Sequence, residues 1–181
     1  MLKRTTAIMA FMVLLTGCAQ SGSESATSQS SSPTAMPTQA ALPPIDPITA
    51  AGVMVSGDLG SEPIVEILSD AKPATQLVIA DQFLGEGAAV QSSSTVLVNY
   101  IGIGLTSGQK FDSSWDRGTP LEISLNQVIT GWTQGFPGMK PGGRRLLVIP
   151  GELAYGTMPP AGSGIEPNET LIFVVDLIDF K

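Results

Sequence analysis

Histidine is missing from all 181 residues, and cysteine occurs once, at Cys18. These two shortages remove disulfides, Cys/His zinc sites, Ser-His-Asp triads and Cys-His dyads from the chemistry open to the chain. Acid-base work would have to rest on carboxylates, lysines or tyrosines. A carboxylate pair could serve glycoside hydrolysis, but folds built for it usually need more chain than this. Basic residues are scarce as well: nine Lys and Arg face sixteen Asp and Glu, a formal charge of −7. A broad basic face for phosphate backbones is therefore absent, which argues against nucleic acid as a partner. The 43% hydrophobic content is enough for one packed domain with extensions.

The apolar run Ala7–Leu15 is too short to span a bilayer, and it follows Lys3 and Arg4. Basic-then-apolar order is that of a secretory signal. The next residues, Leu15-Thr16-Gly17-Cys18, resemble the lipobox of bacterial lipoproteins, in which the cysteine is lipidated and becomes the first mature residue. The competing reading is an ordinary signal peptide with an incidental cysteine. The expectation is a signal peptide over 1–17, lipid on Cys18, and an extracytoplasmic, membrane-anchored lipoprotein. From Ala19 to Pro44 the chain is mainly Ser, Thr, Gln, Ala and Pro. Such a composition cannot bury enough surface to offset ordering entropy, so 18–47 reads as a disordered tether. As a flexible coil it would reach roughly 25–30 Å.

Strand-like patterning begins near Ile48. Val53–Val55, Ile64–Ile67 and Leu77–Ile79 are short apolar runs bounded by Gly, Pro or Asp, and Thr95–Gly104, Leu121–Leu125, Arg145–Ile149 and Leu171–Phe180 follow. Only Val128–Met139 hints at a helix. Gly135, Pro137 and Gly138 fall inside it, and proline is costly in a helix interior, so about two turns ending before Pro137 are expected. That ratio of elements predicts an α+β fold, an antiparallel sheet with one short helix packed on it.

The stretch GQKFDSSWDRGTP, Gly108–Pro120, is crowded for a surface turn. Asp112 and Arg117 could be an exposed ion pair worth about 0–1 kcal/mol, or part of a lined pocket. Trp115 and Asp116 read as solvent-side loop residues. Large apolar residues recur at strand ends and turns nearby, among them Tyr100, Phe111, Leu121, Val128, Ile129, Trp132, Tyr155, Ile165 and Phe173. Taken singly, each is more readily explained as core than as site.

Six strings change that weighting: VNYIG, GQKFDSSWDRG, QVITGWTQG, GMKPGGRRLLVIP, LAYG and IEPNETLIFVVDL. In order and spacing they resemble an FKBP-type peptidyl-prolyl isomerase domain, over about Leu77 to Lys181. The resemblance implies a twisted antiparallel sheet wrapped around one short helix, with an apolar pocket between them. It implies that Tyr100, Phe111, Leu121, Val128, Trp132 and Phe173 surround a proline ring, with Arg117 and Ile165 beside them. It assigns catalytic contacts to Asp112, the Tyr155 hydroxyl and the Ile129 backbone N–H. X-Pro segments of exported polypeptides are the implied substrates and FK506- or rapamycin-type macrolides the implied ligands. No cofactor or metal is called for, and a monomer is expected.

Two departures stand out. Leu121 replaces the usual Phe, making one wall aliphatic, and the Gly156–Gly164 loop has no aromatic residue at its tip. The segment 48–76 matches none of the family strings, and its strands could extend the sheet edge or belong to another domain. Beside the enzyme, two further readings remain: a non-catalytic module that holds proline segments, and a surface lipoprotein that engages a protein partner.

Overall fold

From Leu171 to Leu177 apolar side chains occur at both odd and even positions, so a strand there needs cover on both faces. The computed structural model describes residues 47–181. The expected signal peptide, Cys18 and all of the tether but Pro47 lie outside the described residues. In chain order the elements are β1 (Ile48–Ala50), β2 (Val53–Ser56), β3 (Ile64–Ile67), β4 (Val78–Phe83), β5 (Thr95–Gly104), β6 (Lys110–Ser113), α1 (Ser114–Arg117), β7 (Leu121–Ser124), α2 (Thr130–Gly135), β8 (Arg144–Ile149), a 3-10 turn (Gly151–Leu153) and β9 (Leu171–Phe180).

Every pairing is antiparallel. The main sheet runs β4-β8-β9-β5-β6, and β7 pairs with the other half of β5. Ten residues make β5 long enough for both: Val98 opposes Leu121 of β7, and Gly102 opposes Asp112 of β6. The α+β expectation holds. The helix ends at Gly135, before Pro137, so α2 has six residues. A second, one-turn helix, α1, stands where a loop was expected, and Trp115 and Asp116 are on it.

Odd and even positions of the central strands face different layers. Toward α2 point Leu147 and Ile149 of β8 and Phe173, Val175 and Leu177 of β9, packed with Trp132 and Phe136. The opposite face carries Leu146, Val148, Ile172 and Val174, with Ile101 and Ile103 of β5. Its cover is the N-terminal segment. Strands β1, β2 and β3 form a separate three-stranded sheet that places Val53 and Val55, each 0% exposed, against that face. The segment thus neither extends the edge of the main sheet nor stands apart; it is a second layer. Full burial of each such valine contributes about 1.5–3 kcal/mol.

A charged pair joins the two layers. Arg144 is fully buried, and its Nη2 donates to Asp176 Oδ2 at 2.7 Å across the β8–β9 register. The same guanidinium donates to the carbonyls of Gly57 (3.2 Å) and Ser61 (2.6 Å), in the connection from β2 to β3. Asp176 in turn accepts from the Gly60 N–H at 3.3 Å. A buried ion whose partner is removed is strongly destabilising, more so than the loss of both. Arg144→Met should therefore cost about 3–5 kcal/mol in urea denaturation, and adding Asp176→Leu should recover at least half of that. A loss under about 1 kcal/mol for Arg144→Met would show that the pair does not join the layers.

Candidate active site

The crowded stretch folds as a strand followed by a capped turn of helix. Ser113 is extended and its hydroxyl accepts the backbone N–H groups of Trp115 (3.1 Å) and Asp116 (3.4 Å), as an N-cap does. Gly118, at φ +67°, closes the turn in the left-handed conformation that glycine adopts without strain. The Ser114 hydroxyl, buried, accepts the Tyr100 N–H at 2.9 Å and donates to Asn99 Oδ1 at 3.0 Å. The turn is thereby fixed to β5. Its preceding strand aims Phe111 inward over Gly102, where a Cβ would stand 2.6 Å from the Phe111 ring and 3.0 Å from that of Phe173. Only a glycine on β5 lets both rings in.

The rings meet edge to face. Trp132 lies 5.4 Å from Tyr100 at 86° and 5.3 Å from Phe173 at 84°, and Phe111 lies 5.6 Å from Phe173 at 83°. These are the arrangements that aromatic quadrupoles favour. Trp132, 4% exposed, is carried by α2, and its indole N–H has no hydrogen-bond partner among the described residues. Before the helix, Ile129 is extended at φ −60° and ψ 150°, which leaves its N–H outside the helical ladder.

Above this floor opens a cavity of about 400 Å³. Tyr100, Phe111, Trp132 and Phe173 form its aromatic part, and Leu121, Val128 and Ile129 its aliphatic side. Asp112 and Tyr155 add polar groups to the lining. All nine were singled out in the sequence. Two others, Arg117 and Ile165, do not line it: Arg117 pairs with Asp112, and Ile165 is partly buried against the core. Sequence reasoning missed Ile123 and Gln127, which also line the cavity. The first was legible, since Ile123 shares the face of β7 with Leu121 at a spacing of two.

One polar cluster sits on the rim. The Tyr100 hydroxyl donates to Asp112 Oδ2 and accepts from Arg117 Nη2 at 3.0 Å, while Arg117 Nη1 donates to Asp112 Oδ1. The guanidinium lies 5.4 Å from the Tyr100 ring centre. Asp112 is thus both ion-paired and at the cavity wall. Burial, reinforced by the bond to Asp112 and opposed by Arg117, pushes the Tyr100 phenol up to about 12. Tyr155, 36% exposed, is also raised, by burial first and then by the negative charge of Asp112. Both phenols stay protonated donors through neutral pH. Among the described residues no cluster of carboxylates suits a metal ion.

Residues 86–178 match the family model described as FKBP-type peptidyl-prolyl cis-trans isomerase. The chain belongs to that family. It is 50% identical over 109 residues to an FK506-binding protein of Streptomyces anulatus, covering 59% of this chain and 88% of that one. FkpA, the FKBP-type isomerase of Escherichia coli K12, is 50% identical over 109 residues, 60% of this chain but 39% of FkpA. The crystal structure of FkpA superposes at a TM-score of 0.54 with 47% identity, covering 61% of this chain and 51% of that one. AtFKBP13 superposes at 0.52 with 36% identity over 58% and 93% of the two chains. The strands β1–β3 and β4 of this FKBP-type protein precede the matched residues.

A raised phenol pKa has a consequence for stability. The folded state holds the Tyr100 proton to about 12, against 10.0 for an ordinary tyrosine. The resulting contribution is complete below pH 10 and is lost as pH rises from 10 to 12, on the order of 2–3 kcal/mol. Urea midpoints measured across that window should fall less steeply in Tyr100→Phe than in the parent. Parallel curves for the two proteins would rule out this source of alkaline instability.

Proposed function

We propose that the cavity floored by Trp132 catalyses cis–trans isomerisation of X-Pro bonds in exported polypeptides. The observation that carries the reading is a site lined mainly by aromatic and aliphatic side chains, with Asp112, Gln127 and Tyr155 as its few polar additions. Rotation about an X-Pro bond crosses roughly 18–20 kcal/mol because amide resonance is lost in the twisted state. No covalent bond breaks and no proton moves, so a chain without histidine can do it. A dry apolar wall disfavours the polar planar amide more than the less polar twisted one, which is differential stabilisation of the transition state. In this reading the proline ring rests on Trp132 between Phe111, Phe173 and Leu121. The Tyr155 hydroxyl and the Ile129 N–H donate to substrate carbonyls, and Asp112, held by Tyr100 and Arg117, keeps one negative edge near the twisting carbonyl carbon.

The ring of a macrolide of the FK506 type would compete for the same walls, as the name of the Streptomyces relative suggests for that protein. The enzyme works as a monomer held at a membrane through lipid on Cys18, with its tether as the spacer. That location rests on the Leu15-Thr16-Gly17-Cys18 motif. A single acyl chain binds only marginally, so the anchor carries the two chains of a diacylglyceryl group.

The deciding experiment is isomerisation of an X-Pro peptide by the purified chain, with and without FK506. Turnover that FK506 abolishes, flat from pH 6 to 8, is expected, because neither Tyr100 nor Tyr155 ionises there. Tyr155→Phe should lower kcat/KM about two- to tenfold with the fold intact, the value of one neutral hydrogen bond. A bell-shaped profile over that range would refute the mechanism, and absence of turnover would refute the function. For the anchor, Cys18→Ala should release the protein from membranes or block its processing. An unmodified Cys18 in the mature protein, seen by mass spectrometry, would end that part of the reading.

A further inference from the structure

The inward-facing row of β8 runs along α2. Gly131 sits over Ile149, so closely that a Cβ there would stand 2.7 Å from Ile149 Cδ1 and nearer still to Cγ2. One turn on, Gly135 sits over Leu147, with a Cβ 2.7 Å from Cδ2. The next inward residue of β8 is Arg145, 7% exposed. Its Nη1 donates to the carbonyls of Gly135 at 2.7 Å and Pro137 at 3.2 Å, at the end of the helix. Its Nε and Nη2 grip both oxygens of Asp81 at 2.6 and 2.9 Å, and Asp81 is its register partner on β4.

Packing of Phe136 and Met139 in the core holds the helix end in place, and the clamp adds the polar contacts that its last carbonyls need. Six residues are too few for a helix to persist by its own hydrogen bonds. α2 has no side-chain cap at its start and no charged residue in its first or last turn. Pro137 cannot donate, and the last carbonyls of a helix need partners from elsewhere. Arg145 supplies hydrogen bonds and a positive charge at the negative end of the helix dipole. Trp132 lies one turn before that end, and its carbonyl accepts the Phe136 N–H at 3.0 Å. Its ring also stacks at 4.9 Å on Phe136. A shift of the helix end therefore moves the pocket floor.

We propose that Asp81 and Arg145 are positioning residues for the isomerase site: the pair fixes the end of α2 and so sets the depth and tilt of Trp132 beneath the proline ring. Asp81 precedes residue 86, where the family match begins, so the strand β4 takes part in shaping the site. The proposal rests on the isomerase reading of the cavity, but its structural half can be tested without turnover.

The test uses the full chain in a Trp115→Phe background, which leaves Trp132 the only tryptophan. Asp81→Asn and Arg145→Lys are compared with Val53→Ala, which trims the opposite layer, at a temperature where all variants are folded. In both clamp variants Trp132 emission should shift to the red and acrylamide should quench it more. Displacement of a binding surface by a fraction of an ångström to an ångström is costly to turnover, and kcat/KM on an X-Pro peptide should fall about five- to twentyfold for Asp81→Asn. Arg145→Lys keeps the charge but loses the two-pronged grip, and it should fall by a similar factor. Asp81→Glu, which restores a carboxylate, should recover most of the loss, and Val53→Ala should stay within about twofold of the parent. Unchanged Trp132 emission and quenching in Asp81→Asn would overturn the proposal, as would a kcat/KM loss no larger than that of Val53→Ala. Should the parent itself lack turnover, the isomerase reading fails, while the Trp132 signal still decides whether the clamp positions the floor.

Discussion

Two adjacent strands, β8 and β9, are buried on both faces, and most of the structure follows from what that burial requires. A strand with apolar side chains on both parities cannot leave either face to water. One face takes α2 and the loops around it, and the other takes the N-terminal sheet. The polar residues of these strands must then find partners inside the protein, since water cannot reach them. Arg144 and Asp176 turn to the N-terminal layer, and Arg145 turns to the helix. The two neighbouring arginines, on opposite faces by the alternation of a strand, thus tie the central sheet to both of its layers.

The cavity depends on close approach as much as on aromatic content. Glycines at 102, 131 and 135 let rings and helix come nearer than any side chain would allow. The resulting floor is rigid because each ring braces another at a favoured angle. Chemistry that only needs a dry, shaped surface can be built from such residues, and a chain lacking histidine is no handicap to it. The rim cluster of Tyr100, Asp112 and Arg117 combines the two roles weighed for the crowded stretch, because the same carboxylate makes an ion pair and faces the cavity.

Much of this was legible beforehand. Alternating or continuous apolar runs placed seven strands, and Pro137 marked where the helix had to stop. Five of the six strings brought eight cavity residues together on one surface, and Leu121, just past the second string, made the ninth. The turn α1 was harder: Ser113 as cap, Asp116 in the first turn and Gly118 as terminator are all present, but four residues carry no helical periodicity to read. Ile123 was missed although the spacing along β7 displayed it. Gln127 carries no comparable signal, since an exposed polar residue before a helix looks like any other loop position. Two strands of the N-terminal layer were legible as apolar runs, but not where they pack: the lack of alternation in Leu171–Leu177 calls for a second cover without saying which segment provides it.

That arrangement dictates how the chain must assemble. Strands β1–β3 end at Ile67, yet the face they cover is completed by β9, which begins only at Leu171. Contacts between the two ends carry the highest loop-closure cost, which slows folding relative to a fold with local pairings. The valines of β2 meet their full surface only once β9 has joined β5 and β8. The outer layer is therefore among the last parts of the fold to close.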